Sequence, residues 1–207
     1  MLYYTGKGRP GSGCRSLIAV MMAAALCTGH GFAADSPAPD SAKPLRSGPK
    51  VGSRVPSFYT RAVTGPLMNK SLCYVCRNGR RPVVMLFFRR VGPRLTPLLK
   101  GVDVIIDKHR ADGLRGFGVF VGGNPAKAAS GVQTFAFDNK IAMPLTIAGE
   151  TTASAEGLTI HRDAAVTVVL YRKRKVVQTW AFRAGQLTAG DVKRLKTQIE
   201  RFAAASP

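Results

Sequence analysis

Residues 73 to 90 constrain the fold and the chemistry of this chain more than any other stretch. They read Cys-Tyr-Val-Cys-Arg-Asn-Gly-Arg-Arg-Pro-Val-Val-Met-Leu-Phe-Phe-Arg-Arg, so a C-x-x-C pair leads through a basic turn into an uninterrupted apolar run. That run begins after Pro82 and predicts a strand, Val83 to Phe88, buried on both faces. Two thiols at this spacing close a small disulfide ring or supply two ligands of a metal site. The stretch therefore predicts a scaffold and leaves two chemistries open.

The first 33 residues have the order of a secretory signal peptide. Basic residues precede an apolar run from 17 to 26, and small residues follow around Ala33. The run is too short to span a bilayer. We predict a Sec signal peptide over residues 1–33 with cleavage near Ala33, and a secreted or periplasmic mature chain without a transmembrane segment. A lipoprotein anchored at Cys27 is the alternative, disfavoured because the bulky Leu26 precedes that cysteine.

Cysteine and charge counts narrow the function classes. Cleavage near Ala33 would leave Cys73 and Cys76 as the only cysteines of the mature chain, which in an oxidising compartment favours a disulfide or a dithiol redox couple. The chain has 31 Lys and Arg against 11 Asp and Glu, a net charge of +20. The positive field of such a chain attracts polyanions without sequence specificity, although a solvated basic surface is the preferred explanation of the charge. The basic turn at 172–175 is a candidate anion-docking segment.

The rest of the chain divides into a linker and one domain. Residues 34–50, rich in Pro, Ser and Ala, predict a disordered linker, and residues 51–207 predict a single domain. Apolar periodicity and turn signals set the order of elements within the domain. The predicted elements are an extended segment or hairpin before the cysteines, strand 83–88, helix 94–109, strand 114–121, a weaker helix 125–139, a short strand 144–148, an irregular excursion 149–163, a hairpin of strands 166–171 and 176–182, and a C-terminal helix opened by a capping box at Thr188 to Asp191.

This order, together with four short motifs, resembles a secreted redoxin-type thioredoxin-like domain. The motifs are Val51-Gly-x-x-Val55-Pro-x-Phe58, Val63-Thr-Gly-Pro66, Pro82-Val-Val-Met-Leu-Phe-Phe-Arg89 and Val166-Thr-Val-Val-Leu-Tyr171. The resemblance implies an α/β fold with a central mixed sheet, in which a parallel β-α-β unit precedes a C-terminal antiparallel hairpin and helix. It implies thiol-disulfide exchange with a protein dithiol or disulfide as partner, and no cofactor.

Three departures from that family bear on function. The C-x-x-C pair precedes the first central strand instead of following it, so we expect the pair near the opposite end of that strand. Residues 89–97 contain no cysteine, which argues against a typical peroxiredoxin. The family's cis-proline before the hairpin strand is absent, since Ala165-Val166-Thr167 occupies its place; a trans bond is expected there because cis bonds without proline cost about 3 kcal/mol.

Cys73 and Cys76 are the candidate catalytic residues, Cys73 attacking and Cys76 resolving in the usual order for such pairs. Arg77, Arg80 and Arg81 are the candidate thiolate-stabilising residues, because nearby cations favour a thiolate over a thiol. The competing interpretation is a structural disulfide in a non-catalytic thioredoxin-fold binding module with a basic, anion-binding surface. As a staple, so small a ring would be weak, under about 3 kcal/mol.

A metal site is the third interpretation of the cysteine pair. His109 and His161 complete a formal set of two cysteines and two histidines, the count of a tetrahedral zinc site. Their positions argue against it, because His109 is predicted at the end of a helix and His161 in the irregular excursion. We therefore predict no metal, with Cys73, Cys76, His109 and His161 as the set that would bind one.

Overall fold

The structure, a computed structural model, describes residues 44–149, 152 and 157–205. The predicted signal peptide, most of the predicted linker and the middle of the predicted excursion lie outside these residues. In chain order the strands and α-helices are β1 (Thr60–Ala62), β2 (Ser71–Leu72), α1 (Tyr74–Asn78), β3 (Val83–Phe88), α2 (Thr96–Lys108), β4 (Arg115–Phe120), α3 (Pro125–Asp138), β5 (Leu145–Ala148), β6 (Ala164–Arg172), β7 (Lys175–Arg183) and α4 (Ala189–Ala204).

The strands form one mixed sheet in the order β2-β1-β5-β4-β3-β6-β7. Strands β3, β4 and β5 are parallel, and β6 and β7 add an antiparallel hairpin at one side. The short β1 and β2 extend the sheet beyond β5 on the other side. The predicted α/β architecture, a parallel β-α-β unit followed by a hairpin and a helix, is confirmed.

Strand β3 lies in the middle of the sheet and is buried on both faces, as its apolar run predicts. Val84, Leu86 and Phe88 pack in one core with α2, α3 and α4. Met85 and Phe87 pack in the second core, on the side of α1 and the segment before β1. Because fully burying such a side chain contributes roughly 1.5–3 kcal/mol, β3 helps to stabilise both layers.

Helix α4 begins and packs as its sequence predicts. The Thr188 hydroxyl accepts a hydrogen bond from the Asp191 N–H at 3.1 Å, and the Asp191 carboxylate accepts one from the Thr188 N–H at 3.0 Å. This is the predicted capping box, with Asp in the place of Glu. Hydrogen bonds from Thr188 hold the pKa of Asp191 below its usual range. Apolar residues that recur along the sequence at spacings of three and four form one stripe of the helix, and all are buried: Val192, Leu195, Ile199 and Phe202.

The tip of the β6–β7 hairpin is tighter than the predicted turn. Arg172 pairs with Lys175 in the ladder, so only Lys173 and Arg174 form the turn, both with positive φ (51° and 62°). The guanidinium of Arg172 donates to the carbonyls of Ala205 and Phe202, both at 2.8 Å. Arg172 therefore ties the hairpin to the end of α4, which gives this basic residue a structural use.

Residues before the predicted domain boundary at residue 51 pack against the sheet. Ser47 is buried, and its hydroxyl shares a 2.7 Å hydrogen bond with the Thr167 hydroxyl. The Gly48 N–H donates to the Thr159 carbonyl at 3.1 Å. The prediction of disorder is therefore wrong for these residues, because a short serine and a glycine suit a chain packed closely on β6.

None of the described helices is long and apolar enough to cross a membrane.

His109, at the C-terminal end of α2, bridges to α4 and makes stability depend on pH. Its ring nitrogens lie 2.9 Å from an Asp112 oxygen and 2.8 Å from a Glu200 oxygen. Hydrogen bonds to Asp112 and then to Glu200 raise the pKa of His109. The stabilisation is therefore complete below the ordinary histidine pKa of about 6.5 and is lost as pH rises through the higher pKa of the folded state.

We expect His109→Gln to flatten this pH dependence. Between about pH 5.5 and 9 the melting temperature of the wild type should fall further than that of the variant. At about pH 5.5 the wild type should melt roughly 2 °C higher than the variant, because partly exposed ion pairs contribute under about 1 kcal/mol. Thermal melts followed by circular dichroism measure both curves. Parallel curves would show that the two carboxylates do not stabilise the protonated ring.

Candidate functional site

The C-x-x-C pair lies on α1, a five-residue helix where the sequence predicts a basic turn. Cys73 is the N-cap residue of this helix, and its Sγ accepts a hydrogen bond from the Cys76 N–H at 3.1 Å. Gly79 ends the helix with φ of 59°, a conformation that glycine adopts without strain. Cys73 and Cys76 are joined by a disulfide, with Cα atoms 5.3 Å apart.

Helix α1 is fixed at the amino end of β3. The Tyr74 ring stacks on the Phe117 ring of β4, with centroids 5.0 Å apart and planes at 18°. The Asn78 amide lies beside the hydroxyl of Tyr171, a residue paired with Val83 at the start of β3. The expectation that the cysteine pair lies at the end of β3 opposite to the family's usual position is confirmed.

The two cysteines differ in exposure. Cys73 is 7% exposed and packs in the core on the α1 side, whereas Cys76 is exposed. An incoming thiolate therefore reaches Cys76, and Cys73 is the sheltered member. This favours the reverse of the order of attack that we expect from the sequence.

The three candidate thiolate-stabilising arginines divide between two places. Arg77, Arg80 and Arg81 are all exposed. Arg77 and Arg81 line a cavity of about 370 Å³, whereas Arg80 is not among its lining residues. We call this the arginine cavity and define it by Tyr74, Arg77, Arg81, Asp103, Arg110 and Arg115. A thiolate-stabilising role for the first three arginines stays a prediction.

The arginine cavity is positively charged, and this charge shifts the pKa values of residues that line it. Burial lowers the pKa of Arg115, and the positive charges of Arg81 and Arg110 lower it further. Burial raises the pKa of the Tyr74 hydroxyl, while Arg77 opposes that shift. Like charges therefore crowd around this hollow, and Arg77 lies close to the tyrosine hydroxyl. Sequence spacing does not reveal the site, because Arg110 and Arg115 are remote from the cysteines along the chain.

The carboxyl end of β3 is occupied by structural contacts. The Arg89 guanidinium donates to the carbonyls of Val121 at 2.9 Å, Ala164 at 3.2 Å and His161 at 3.3 Å. The Arg89 N–H donates to the Ala165 carbonyl at 3.1 Å, in the segment where the family has its proline. Residues 89–97 contain no cysteine, so this segment supplies no thiol at the carboxyl end of β3.

The set proposed for the metal alternative is not assembled. His109 is engaged with Asp112 and Glu200, and the His161 ring accepts a hydrogen bond from the Asp163 N–H at 3.1 Å. The two cysteines are bonded to each other. Across residues 44–149, 152 and 157–205, no three side chains of His, Cys, Asp or Glu are grouped as metal ligands would be.

Comparison with solved structures decides the fold class. A candidate protein disulfide isomerase from Bacteroides thetaiotaomicron superposes with a TM-score of 0.57 at 14% identity, covering 77% of this chain and 95% of the other. A candidate thiol:disulfide interchange protein DsbE from Chlorobium tepidum gives 0.54 at 16% identity, covering 77% and 99%. The fold is thioredoxin-like. The peroxidoxin BcpB from Mycobacterium tuberculosis has the same fold, with a TM-score of 0.57 at 15% identity and coverage of 76% and 98%.

No protein family and no curated protein sequence matches this chain. At identities this low the structural similarity establishes the thioredoxin-like fold and nothing finer. The disulfide on α1 is therefore the feature that bears most directly on function.

Proposed function

We propose that this thioredoxin-like protein exchanges disulfides with protein thiols outside the cytoplasm, through Cys73 and Cys76. The observation that carries the proposal is the disulfide on α1, in which one cysteine is exposed and the other is sheltered. A purely structural staple needs no such access to solvent. The names of two structural neighbours, a candidate disulfide isomerase and a candidate interchange protein, support the same chemistry.

The geometry supports a balanced two-step reaction. A partner thiolate attacks the Sγ of Cys76, the Cys73–Cys76 bond breaks, and Cys73 leaves as a thiolate beside the Cys76 N–H. A second thiolate of the partner then attacks the partner's own sulfur in the mixed disulfide and releases Cys76. The partner dithiol loses two electrons to form a disulfide, and the protein gains them as a dithiol; the reverse sequence reduces a partner.

The proposed location rests on the sequence. Residues 1–33 have the composition of a signal peptide, and a closed disulfide persists in an oxidising compartment. We propose a periplasmic or secreted protein on these grounds. Cell fractionation of the full chain tests the location, and recovery with the cytosolic fraction would contradict it.

A dithiol peptide tests the exchange reaction. The oxidised protein is mixed with a reduced peptide carrying two cysteines, and mass spectrometry counts peptide disulfides and protein thiols over time. We expect two protein thiols to appear for each peptide disulfide formed, and a rate lower by roughly a hundredfold for the double variant Cys73→Ser/Cys76→Ser. The control is Ser71→Ala, which changes an exposed residue near the pair without touching a sulfur. Equal peptide oxidation by wild type and double variant would refute the proposal.

A binding module with a structural disulfide is the second candidate, favoured by the net charge of +20. Retention on heparin that weakens steeply with salt would support non-specific polyanion binding as an additional property. Heparin retention combined with a disulfide inert to dithiol peptides would replace the exchange proposal with this one.

A further inference from the structure

The arginine cavity lies at the amino end of the parallel strands. Its walls come from α1, from α2, from the start of β4 and from residues 142–144 that lead into β5. The hollow has a volume of about 370 Å³, enough for a small molecule. Gly116 lines it as well, and a Cβ there would lie 2.2 Å from Ile106 Cδ1 and 3.2 Å from Met143 Sδ. The glycine thus keeps this part of the wall free of a further side chain.

Positive charge in the cavity exceeds negative charge. Among the lining residues, four arginines face one carboxylate, that of Asp103. The Asp103 oxygens already accept hydrogen bonds from the N–H groups of Ala142 and Met143, both at 2.7 Å. Asp103 is therefore committed to holding the segment before β5, and it neutralises the arginines incompletely.

The guanidinium groups keep donors for a ligand. Arg115 uses Nη1 to donate to the carbonyls of Arg110 and Leu114, at 2.9 and 2.8 Å. Arg110 makes an exposed 3.3 Å ion pair with Asp107. A guanidinium has five N–H donors in a planar fork that matches carboxylate and phosphate oxygens, so both arginines have donors beyond these contacts.

Tyr74 supplies an independent observation that points to a ligand. The residue is 6% exposed, and its hydroxyl is buried without a hydrogen-bond partner among the described residues. Leaving a buried hydroxyl without a hydrogen-bond partner is unfavourable, because the group has lost its hydrogen bonds to water. A ligand oxygen in the cavity that this residue lines would remove that cost.

We propose that the arginine cavity binds a small multivalent oxyanion, a carboxylate or a phosphate, with Arg77 and Arg81 as accessible donors and the Tyr74 hydroxyl as a buried one. An anion there offsets the repulsion among the guanidinium groups and gives the tyrosine hydroxyl an acceptor. The site goes beyond the proposed exchange reaction and stands without it, because none of its binding groups is a sulfur.

Isothermal titration of the full-length protein tests the site, with phosphate, pyrophosphate and citrate as probes at constant ionic strength. We expect saturable binding of one anion with Kd below about 1 mM. The variant Arg77→Gln/Arg81→Gln should weaken binding by about tenfold or more. The matched control Arg80→Gln/Arg94→Gln removes the same charge from exposed residues outside the cavity and should bind within about twofold of wild type.

Tyr74→Phe separates a ligand contact from a structural role. The variant keeps the ring stacked on Phe117 and removes only the unpartnered hydroxyl, so the free protein should melt at the same temperature as wild type or higher. Anion binding should nevertheless weaken by about threefold to tenfold.

The titrations distinguish the two sources of oxyanion and can refute the site. Tighter binding of phosphate and pyrophosphate supports a phosphate ligand, and tighter binding of citrate supports a carboxylate. Absence of saturation by any probe at about 10 mM, or equal weakening in the cavity variant and its matched control, would overturn the proposal. The Cys73→Ser/Cys76→Ser protein should bind the anion as wild type does, so failure of exchange and failure of this site are separate results.

Discussion

Cys73→Ser is expected to trap a mixed disulfide through Cys76, whereas Cys76→Ser is expected to leave a thiol that reacts slowly. The reason is access, because Cys73 is 7% exposed and packed in the core while Cys76 is exposed. With Cys73 replaced, the Cys76 thiolate can attack a substrate disulfide and no second thiol resolves the product. With Cys76 replaced, substrate must reach a sheltered sulfur.

The measurement is the rate at which each reduced variant reacts with an aromatic disulfide reagent, followed by stopped-flow absorbance. We expect Cys73→Ser to react at least about tenfold faster than Cys76→Ser at neutral pH, because thiol reactivity follows accessibility as well as thiolate fraction. Both variants unfolded in guanidinium provide the matched control and should react at similar rates. Mass spectrometry of a peptide mixture should find the trapped adduct on Cys76.

The opposite ranking would restore the order expected from the sequence, with Cys73 attacking. That result would show that the hydrogen bond from the Cys76 N–H, at 3.1 Å from the Cys73 sulfur, activates Cys73 more than burial protects it. Two equally inert variants would instead favour the structural disulfide. The experiment therefore distinguishes all three interpretations of the pair.

The central part of this fold is predictable from the sequence because its signals are periodic. Strand β3 has the bounds of its apolar run, Val83 to Phe88, and the helices α2 and α4 follow stripes with spacings of three and four. The capping box at Thr188 is a local signal with a direct hydrogen-bonding cause. These features need no knowledge of distant contacts.

The site is less predictable from the sequence because it is built from a very short helix and from contacts between residues that are far apart along the chain. Helix α1 has five residues, too few to show a helical period, and it is held by Tyr74 stacked on Phe117. The parallel pairing of Val83 with Arg115 brings the start of β4 beside the segment that follows α1. No local pattern reports such a pairing, so the sequence identifies the disulfide and misses the arginine cavity.

Asp103 shows why composition misleads about single residues. With Asp107 and Asp112, it reads as part of a solvated acidic face that balances the basic charge. In the structure, the Asp103 carboxylate accepts hydrogen bonds from two backbone N–H groups before β5. The Asp112 carboxylate contacts the His109 ring. Asp107 and Asp112 are both exposed, and Asp107 forms an ion pair with Arg110. A carboxylate's function depends on the donors that the fold brings to it.

Gly122→Ala is expected to destabilise the domain severely, although glycine at 122 follows β4 in an ordinary loop. A Cβ at this position would lie 2.2 Å from the Arg89 carbonyl oxygen and 2.9 Å from its carbonyl carbon. Those atoms are backbone and cannot turn away as a side chain could. The Val121 N–H donates to the Phe88 carbonyl at 2.9 Å, and the Arg89 guanidinium donates to the Val121 carbonyl, so both segments are held in place.

We expect Gly122→Ala to cost more than about 3 kcal/mol and to lower the melting temperature by roughly 6–12 °C. Gly123→Ala is the matched control, because nothing lies within 4 Å of its added Cβ and only its φ of +59° is unfavourable. That control should cost about 1–2 kcal/mol. Denaturant unfolding measures the loss of unfolding free energy in each variant, provided that the dependence of that free energy on denaturant concentration is the same as in the wild type.

Because Gly122 lies far from the disulfide, its substitution should change the stability of the domain and not the rate of disulfide exchange. It contacts the carboxyl end of β3, whereas the disulfide lies at the amino end. Below its melting temperature, folded Gly122→Ala should therefore exchange disulfides at the wild-type rate per folded molecule, while its midpoint of unfolding is strongly reduced. Equal midpoints for the two alanine variants would show that the backbone around Arg89 yields easily, and that the sheet is held less rigidly at this end than these hydrogen bonds imply.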